Sequence, residues 1–457
     1  MSSLFASLSV AVNALHAEQG ALDATANNVA NANTPGFSRE RPVFTEGDPV
    51  TLGALTVGTG VILQRLEAVR DPILQLRIDD ETQQQGRLDA LVAGMNQLQV
   101  RFSASDGDIG NLISKFFASI NQLSTDPGNL ALRQGVLLAA GNVASAFRNT
   151  YADLQDQRTN LDLNVIQDVN QVNSLSKQIS GLNAEIVAMQ NLGRDPSALE
   201  DQRQALIEQL GGLIDVATVQ SESGLTLTTR SGSAMVVANQ SFALSVRPDS
   251  SGLQRIYYQG SDITGNITSG ELSGLLQLRD EEIPGVAAQL DTLAAGLANQ
   301  VNAAHHGGFD LSGTPGGDLF VAPSGSGVGA AGVLAVQITD PARLAASSDS
   351  SSPGDNGNLL ALAAVRDQAI GSGSSPTNYY SSIIFGVGNE IANDSAELDA
   401  SKLMLRQLQD QRSAVSGVSL DEEATNLIRY QRAYEASARL VTVINDMLQS
   451  VINLGKE

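Results

Sequence analysis

The chain contains no cysteine and no tryptophan. The first absence excludes disulfides, thiolate metal centres and cysteine nucleophiles. It also leaves a chain that stays free of crosslinks while unfolded. Aromatic residues are only 4% and charged residues only 17% of the sequence. Bases are scarce: 27 Lys and Arg stand against 49 Asp and Glu, a formal net charge of −22. Affinity for nucleic acid comes largely from cations that neutralise phosphate, and no basic run occurs, so no nucleic-acid partner is expected. An anionic membrane surface is disfavoured for the same reason. No run reaches the ~18 apolar residues of a spanning helix, so no membrane insertion is expected. Residues 1–15 lack the basic and continuously apolar regions of a cleaved signal peptide. Taken alone, these features give a cytoplasmic address.

What is present is 457 residues of which 42% are apolar, enough for about two to four domains with sizeable cores. Leu8, Leu15, Leu22 and Val29 recur every seven residues, with Leu4 and Ala11 at the offset positions, which is a heptad seam. Pro35 stops it, because the residue before proline is pushed out of the α region. Residues 50–78 read as a hairpin or extended excursion. The seam Leu88, Leu91, Met95, Leu98 and Phe102 predicts a helix over about 80–103, and a shorter one follows near 109–124. The longest pattern runs from Phe147 through Leu154, Leu161, Val165, Val172 and Ile179 to Ile186. It predicts a helix over 129–191, or ~90 Å. Asp168 falls on this seam and offers a place for a local break. Another helix is expected near 197–211.

Residues 213–269 change character. Short alternating or β-branched segments, split by Gly, Ser and Asn, predict a small β domain. Helix returns over 271–304, 358–370 and 377–415. The tract 309–357 is Gly/Ser-rich with one expected strand, "VLAVQI". The fold class is therefore mainly α with an inserted β domain (α+β), in several domains. A long helical rod domain would comprise 46–212 with 270–308 and 358–416, and the outer β domain 213–269.

No catalytic, cofactor or metal site assembles from these residues. The histidines are His16, His305 and His306. Adjacent histidines cannot both point to one side of a regular element, so His305 and His306 read as a solvated helix end. Gly327, Gly329 and Gly332 form a G-x-G-x-x-G, but the strand-like run follows it, whereas a dinucleotide site needs the strand before. "SPGDNGN" has too few carboxylates for a calcium loop. The chain is read as not an enzyme.

The C-terminal stretch is the best specified. Ser419 and Glu422 form a capping-box pair, and Asp421, Glu422 and Glu423 suit the positive end of the helix dipole. Gly455 would stop the helix. Leu420, Leu427, Tyr434, Val441 and Leu448 form one heptad row, and Ala424, Ala438 and Ile452 lie on the other. Val10, Val12, Ile428, Val443, Ile444 and Val451 fall off both seams and widen the stripe. Such ends either dock on the protein's own core or pair with each other and with other copies, ordering on assembly.

The stretches "ANNVANANTPGFSRERPVF" and "VSLDEEATNLIRYQRAYEASARLVTVINDMLQSVINL" resemble the N- and C-terminal signatures of the axial proteins of the bacterial flagellum. The N-terminal signature positions are Asn28, Asn31, Asn33, Thr34, Pro35, Gly36, Phe37, Ser38 and Arg39. The F-S-R after T-P-G, with "GTGVILQRLEAVRDPILQLR" and "DPARLAAS", is similar to the hook-associated members of the hook–filament junction. The resemblance implies a structural function as a junction adaptor and an elongated multi-domain chain. It implies paired terminal coiled-coil helices, residues 1–45 with 417–457, as an assembly domain. Leu4, Leu8, Ala11, Leu15, Leu22 and Val29 would form one interface, and Leu420, Leu427, Tyr434, Val441, Leu448 and Ile452 the other. Implied partners are copies of itself, the flagellar hook protein, a second hook–filament junction protein and a cytosolic export chaperone. It also implies type III export without a cleaved signal, which replaces the cytoplasmic address with an extracellular one. The alternatives are another axial protein of hook or rod type, or a non-flagellar coiled-coil scaffold.

Overall fold

The computed structural model describes residues 2–52, 55–102, 107–221, 224–321, 327–370 and 373–454. The elements, in chain order, begin with α1 (Ser2–Ala30), β1 (Glu40–Glu46), β2 (Val50–Leu52), β3 (Leu55–Val57) and β4 (Val61–Ala68). Four helices follow: α2 (Pro72–Arg101), α3 (Ile109–Leu123), α4 (Leu130–Asn191) and α5 (Ser197–Leu213). The β-rich stretch holds β5 (Ala217–Ser221), β6 (Gly224–Thr228), β7 (Ala234–Val237) and β8 (Gln240–Ser241), then β9 (Ser245–Pro248), β10 (Gln254–Tyr258) and β11 (Ser261–Asp262). Then come α6 (Glu271–Gln277), a π-turn (Leu278–Glu282) and α7 (Ile283–His306). The last are α8 (Ala330–Val333), α9 (Gly357–Ala364), α10 (Pro376–Ser416) and α11 (Leu420–Leu454). The protein is mostly helical with small inserted sheets, and its N- and C-terminal helices pack together.

The chain forms two compact units, one of residues 1–84, 171–244 and 401–457, the other of 85–170 and 245–400. In the first, β1 and β4 make an antiparallel ribbon with a register shift between Val43 and Phe44. Helix α1 lies close on β4: a Cβ on Gly20 would come 2.4 Å from Leu63 Cδ2. The sheet β5-β6-β7-β8 is pinned by Asn183 of α4. Its Nδ2 donates to Leu225 O at 2.8 Å and Ala238 O at 2.7 Å, and its Oδ1 accepts from Arg203 at 2.9 Å.

In the second unit the sheet β11-β10-β9 is anchored on α4. Asp162 Oδ1 accepts from Gln254 N at 2.8 Å and pairs with the fully buried Arg279 at 2.6 Å. Phe116, Phe117 and Phe320 form an aromatic core, with ring centroids 5.2 and 5.9 Å apart. The stretches 307–321 and 327–347 are held by one face of α7. Asn302 Oδ1 accepts from Leu319 N and Phe320 N, both at 2.9 Å, and Asp291 accepts from Gly329 N at 2.7 Å and Ala331 N at 2.9 Å. Buried polar groups need such partners, and here they replace a sheet.

Several expectations change. Helix α4 runs its 62 residues without a break. Asp168 is tolerated on the seam because burial, reinforced by Glu271, raises its pKa to about 7, so the neutral acid is accessible. The single expected β domain resolves into two separate sheets, one in each unit. The expected strand at 333–338 is reduced to one bridge, Phe320 with Val336. An 18-residue window of α4 is long and apolar enough to cross a membrane, with mean hydropathy 1.2. Along α4, Val136, Ala140, Val143 and Phe147 are buried, and 39% of that window is buried within the fold.

Candidate functional site

Of the two adjacent histidines only His306 lies at a solvated helix end. His305 is fully buried and neutral: Nε2 accepts from Ala345 N at 2.8 Å, which leaves Nδ1 to donate to Gly317 O at 2.5 Å. Burial lowers its pKa. His306 is exposed and lies 2.9 Å from Asp318. Gly329 precedes the short α8, with φ +77°, and the residues that would carry a preceding strand, 322–326, lie outside the described residues. Among the described residues no group of three His, Asp or Glu converges as a metal site.

The distinctive chemistry lies on the terminal helices of the first unit. On α11 the face turned inward carries Glu423, Tyr430 and Ile444, all buried, seven residues apart or a multiple of it. The Tyr430 ring packs edge-on to Phe44 of β1 at 6.3 Å, and Arg429 stacks over it at 4.6 Å. On α1 the buried positions are small or polar: Ala11, Ala17, Ala21, Ala24, Thr25 and Asn28. Small residues let α1 approach its neighbours closely, so the seam residues Leu4, Leu8, Leu15 and Leu22 are only half-buried.

The remaining apolar residues face outward. Leu420 and Ile428 are each 56% exposed, and Leu427, Tyr434, Leu440, Val443, Met447, Val451 and Ile452 are exposed as well. Val441, Leu448 and Ala438 are half-buried, while Ala424 is exposed. On α1, Phe5 and Val29 are exposed. An open cleft of about 410 Å³ lies between the two helices, lined by Leu4, Val443, Asp446, Met447, Ser450 and Val451. Of the predicted row, then, Leu420 is more than half exposed, and Leu427 and Tyr434 are a little over a third exposed. Gly455 lies outside the described residues.

The signature residues turn the chain between α1 and β1. Asn31 Nδ2 donates to Asn27 O at 3.0 Å, Thr34 Oγ1 donates to Asn31 Oδ1 at 3.1 Å, and Phe37 N donates to Thr34 O at 3.2 Å. Asn33, Thr34, Pro35 and Gly36 are exposed, and Gly36 holds φ +80°, which favours glycine. Asn28 acts as a backbone mimic: its Nδ2 donates to Glu40 O at 2.8 Å and its Oδ1 accepts from Glu40 N at 2.9 Å.

Ser38 N and Oγ both donate to the Asp201 carboxylate at 2.8 Å. Arg39 pairs with Glu422, and its Nε lies 2.8 Å from Glu423 Oε1, an ion pair outside hydrogen-bond geometry. The capping box is only half made. Glu422 N reaches Ser419 Oγ at 3.5 Å, and the Glu422 carboxylate goes to Arg39. Sequence pattern missed Arg70, which pairs with Glu200 and, at 2.7 Å, with Asp201. No local signal marks a partner about 130 residues away along the chain.

The chain matches three family models: the flagellar hook-associated protein FlgK helical domain over residues 95–320, the flagellar basal body rod FlgEFG protein C-terminal region over 409–454, and the flagella basal body rod protein over 8–37. It is 29% identical to flagellar hook-associated protein 1 of Bacillus subtilis over 99% of both chains. It is 25% identical to the Escherichia coli protein of the same name over 97% of this chain and 98% of that one. The structure is similar in fold to the flagellar hook junction protein FlgK from Burkholderia pseudomallei, with a TM-score of 0.67 at 17% identity, covering 74% of this chain and 100% of that one. The two end matches fall on the terminal helices and the central match on the helical body, so the chain is a structural, non-enzymatic component of the bacterial flagellum that is similar over nearly its whole length to flagellar hook-associated protein 1.

Proposed function

We propose that this protein is a subunit of the hook–filament junction and polymerises there through the outward faces of α1 and α11. The observation that carries this reading is the row of exposed Leu, Ile, Val, Met and Tyr on α11. Exposed apolar surface on this scale, spread around much of the helix, marks an interaction site. Each aliphatic side chain fully buried on assembly contributes about 1.5–3 kcal/mol, so a row of several outweighs the cost of ordering a subunit. The assembly region is residues 1–45 with 417–457. Its partners are copies of this chain, the flagellar hook protein on one side and the second junction protein on the other. An export chaperone holds the chain in the cytosol before it leaves unfolded, and the lack of cysteine suits that passage.

The test is co-sedimentation with purified hooks. Wild-type protein is expected to pellet with them, and the Leu427→Ser/Val443→Ser variant to stay in the supernatant with an unchanged circular dichroism spectrum. Equal pelleting of the two, or failure of the wild type to pellet, would overturn the reading.

A further inference from the structure

In the second unit, the peptide group joining Leu344 to Ala345 is gripped from both sides by buried side chains of different charge. Its carbonyl accepts from Arg133 Nη1 of α4 at 2.5 Å, and its N–H donates to His305 Nε2 of α7 at 2.8 Å. Arg133 and His305 are both fully buried. The other ring nitrogen of His305, Nδ1, donates to Gly317 O at 2.5 Å. One imidazole thus joins two stretches, 308–317 and 344–347, to the end of α7. The stretches are also laced to each other. Phe309 N donates to Ser347 O at 2.8 Å, and Ser347 N donates to Phe309 O at 3.2 Å. Gly316 passes directly against the ring, where a Cβ would come 2.9 Å from Nδ1.

This grip requires a neutral ring. An imidazole accepts only through an unprotonated nitrogen, and Nδ1 already carries the proton donated to Gly317. A proton on Nε2 turns the acceptor into a second donor that faces the Ala345 N–H. It also sets a second cation beside the peptide that Arg133 already holds. A buried donor left without an acceptor is costly. The charged groups around the ring do not relieve this. His306, next on α7, adds charge of the same sign when protonated. On 307–321 the acids are Asp318, which lies 2.9 Å from His306, and Asp310, whose Oδ1 is taken by Ser312 N and Thr314 N. Asp340 and Arg343, beside the other stretch, are exposed. Helix α9 has no charged residue and contributes Asn358, whose Nδ2 donates to Ala345 O at 2.7 Å.

We infer that His305 is an acid-released latch: the neutral imidazole locks 308–317 and 344–347 onto α7, and its protonation frees the two stretches together while α4 stays folded. The latch does not rest on the junction reading. It is a property of the isolated chain, so its failure and a failure of that reading are distinguishable.

The experiment is hydrogen exchange on the full chain from pH 7.5 to pH 5, read as protection factors corrected for the intrinsic pH dependence of exchange. Peptides covering 308–317 and 341–347 are compared with 140–165 of α4. An opening that takes up one proton becomes more favourable by up to about tenfold per pH unit below about pH 6.5. The wild type is expected to lose protection in both stretches with that slope and to keep it in α4. His305→Gln, which cannot titrate, gives a flat pH profile whatever its absolute protection. His306→Gln keeps the wild-type response, because its ring does not touch the peptide. Should His305→Gln fail to fold, wild type and His306→Gln are read alone. Unchanged protection in the wild type down to pH 5, loss in only one of the stretches, or an equal loss in α4 would overturn the latch. So would a wild-type response in His305→Gln or a lost response in His306→Gln.

Discussion

Two adjacent residues of α11 separate its buried face from its exposed one. Ile444 is 1% exposed and Val443 is 51% exposed, about 100° apart around the helix. Truncating a buried Ile to Ala removes its transfer energy and leaves a cavity, with a usual cost of about 2–5 kcal/mol. The Ile444 site lies in a thin two-helix seam that can relax, which places it near the low end, about 2–3 kcal/mol. That is roughly 30- to 150-fold in a local opening equilibrium. Hydrogen exchange of the monomer should show that loss in the second half of α11. Val443→Ala removes half-exposed surface, and the better helix propensity of Ala offsets it by a few tenths of a kcal/mol, about 0.5 at most. Monomer protection should then be unchanged or slightly raised, while pelleting with hooks weakens. If Val443→Ala lowers monomer protection as much as Ile444→Ala does, the division of α11 into inward and outward faces is wrong.

Acid should act oppositely on the surroundings of Asp79 and of His305. Asp79, buried beside Gln75, Gln204 and Glu208, has its pKa raised from 3.8 to about 6, chiefly by burial. The native state then holds the proton more tightly than the unfolded chain, so stability rises as pH falls from about 6 towards 3.8, by up to about 3 kcal/mol. His305 has a lowered pKa; its contribution is complete above the unfolded value of about 6.5 and is lost as pH falls from there through the folded one. Between pH 7 and pH 5, protection factors, corrected for the intrinsic pH dependence of exchange, should rise around α2 and α5 near Asp79 and fall around His305, Gly317 and Ala345. Asp168→Asn should raise thermal stability most at pH 8, where the native carboxylate is charged, with the advantage shrinking as pH falls through about 7. Gly274→Ala would place a Cβ 2.4 Å from Arg87 O. That clash with backbone should cost about 1–3 kcal/mol, visible as a lower urea midpoint, whereas Gly265→Ala, in open space, should shift it little.

Helix existence was legible because period and burial coincide: Leu88, Leu91, Met95 and Leu98 are all buried as the seam requires, and α4 follows its pattern from Phe147 to Ile186. The face of α11 was not. Heptad spacing reads equally well for the row Leu420-Leu427-Tyr434 and for the row Glu423-Tyr430-Ile444. The second wins because Glu423 meets Arg39 and Tyr430 meets Phe44, partners nearly 390 residues away in the chain that periodicity cannot see. His305 was misread because its hydrogen-bond partners, Gly317 and Ala345, are backbone groups of an irregular stretch with no pattern of its own. The same holds for Ser38, whose role depends on Asp201.

The outward row as the assembly surface is tested most directly by maleimide labelling of single cysteines, which the cysteine-free chain permits without background. Leu427→Cys and Val443→Cys should label quickly in the monomer and become protected once the protein is bound to hooks, while Val219→Cys, exposed on β5, keeps its rate. Undiminished labelling at both α11 positions in the pelleted complex would contradict the account.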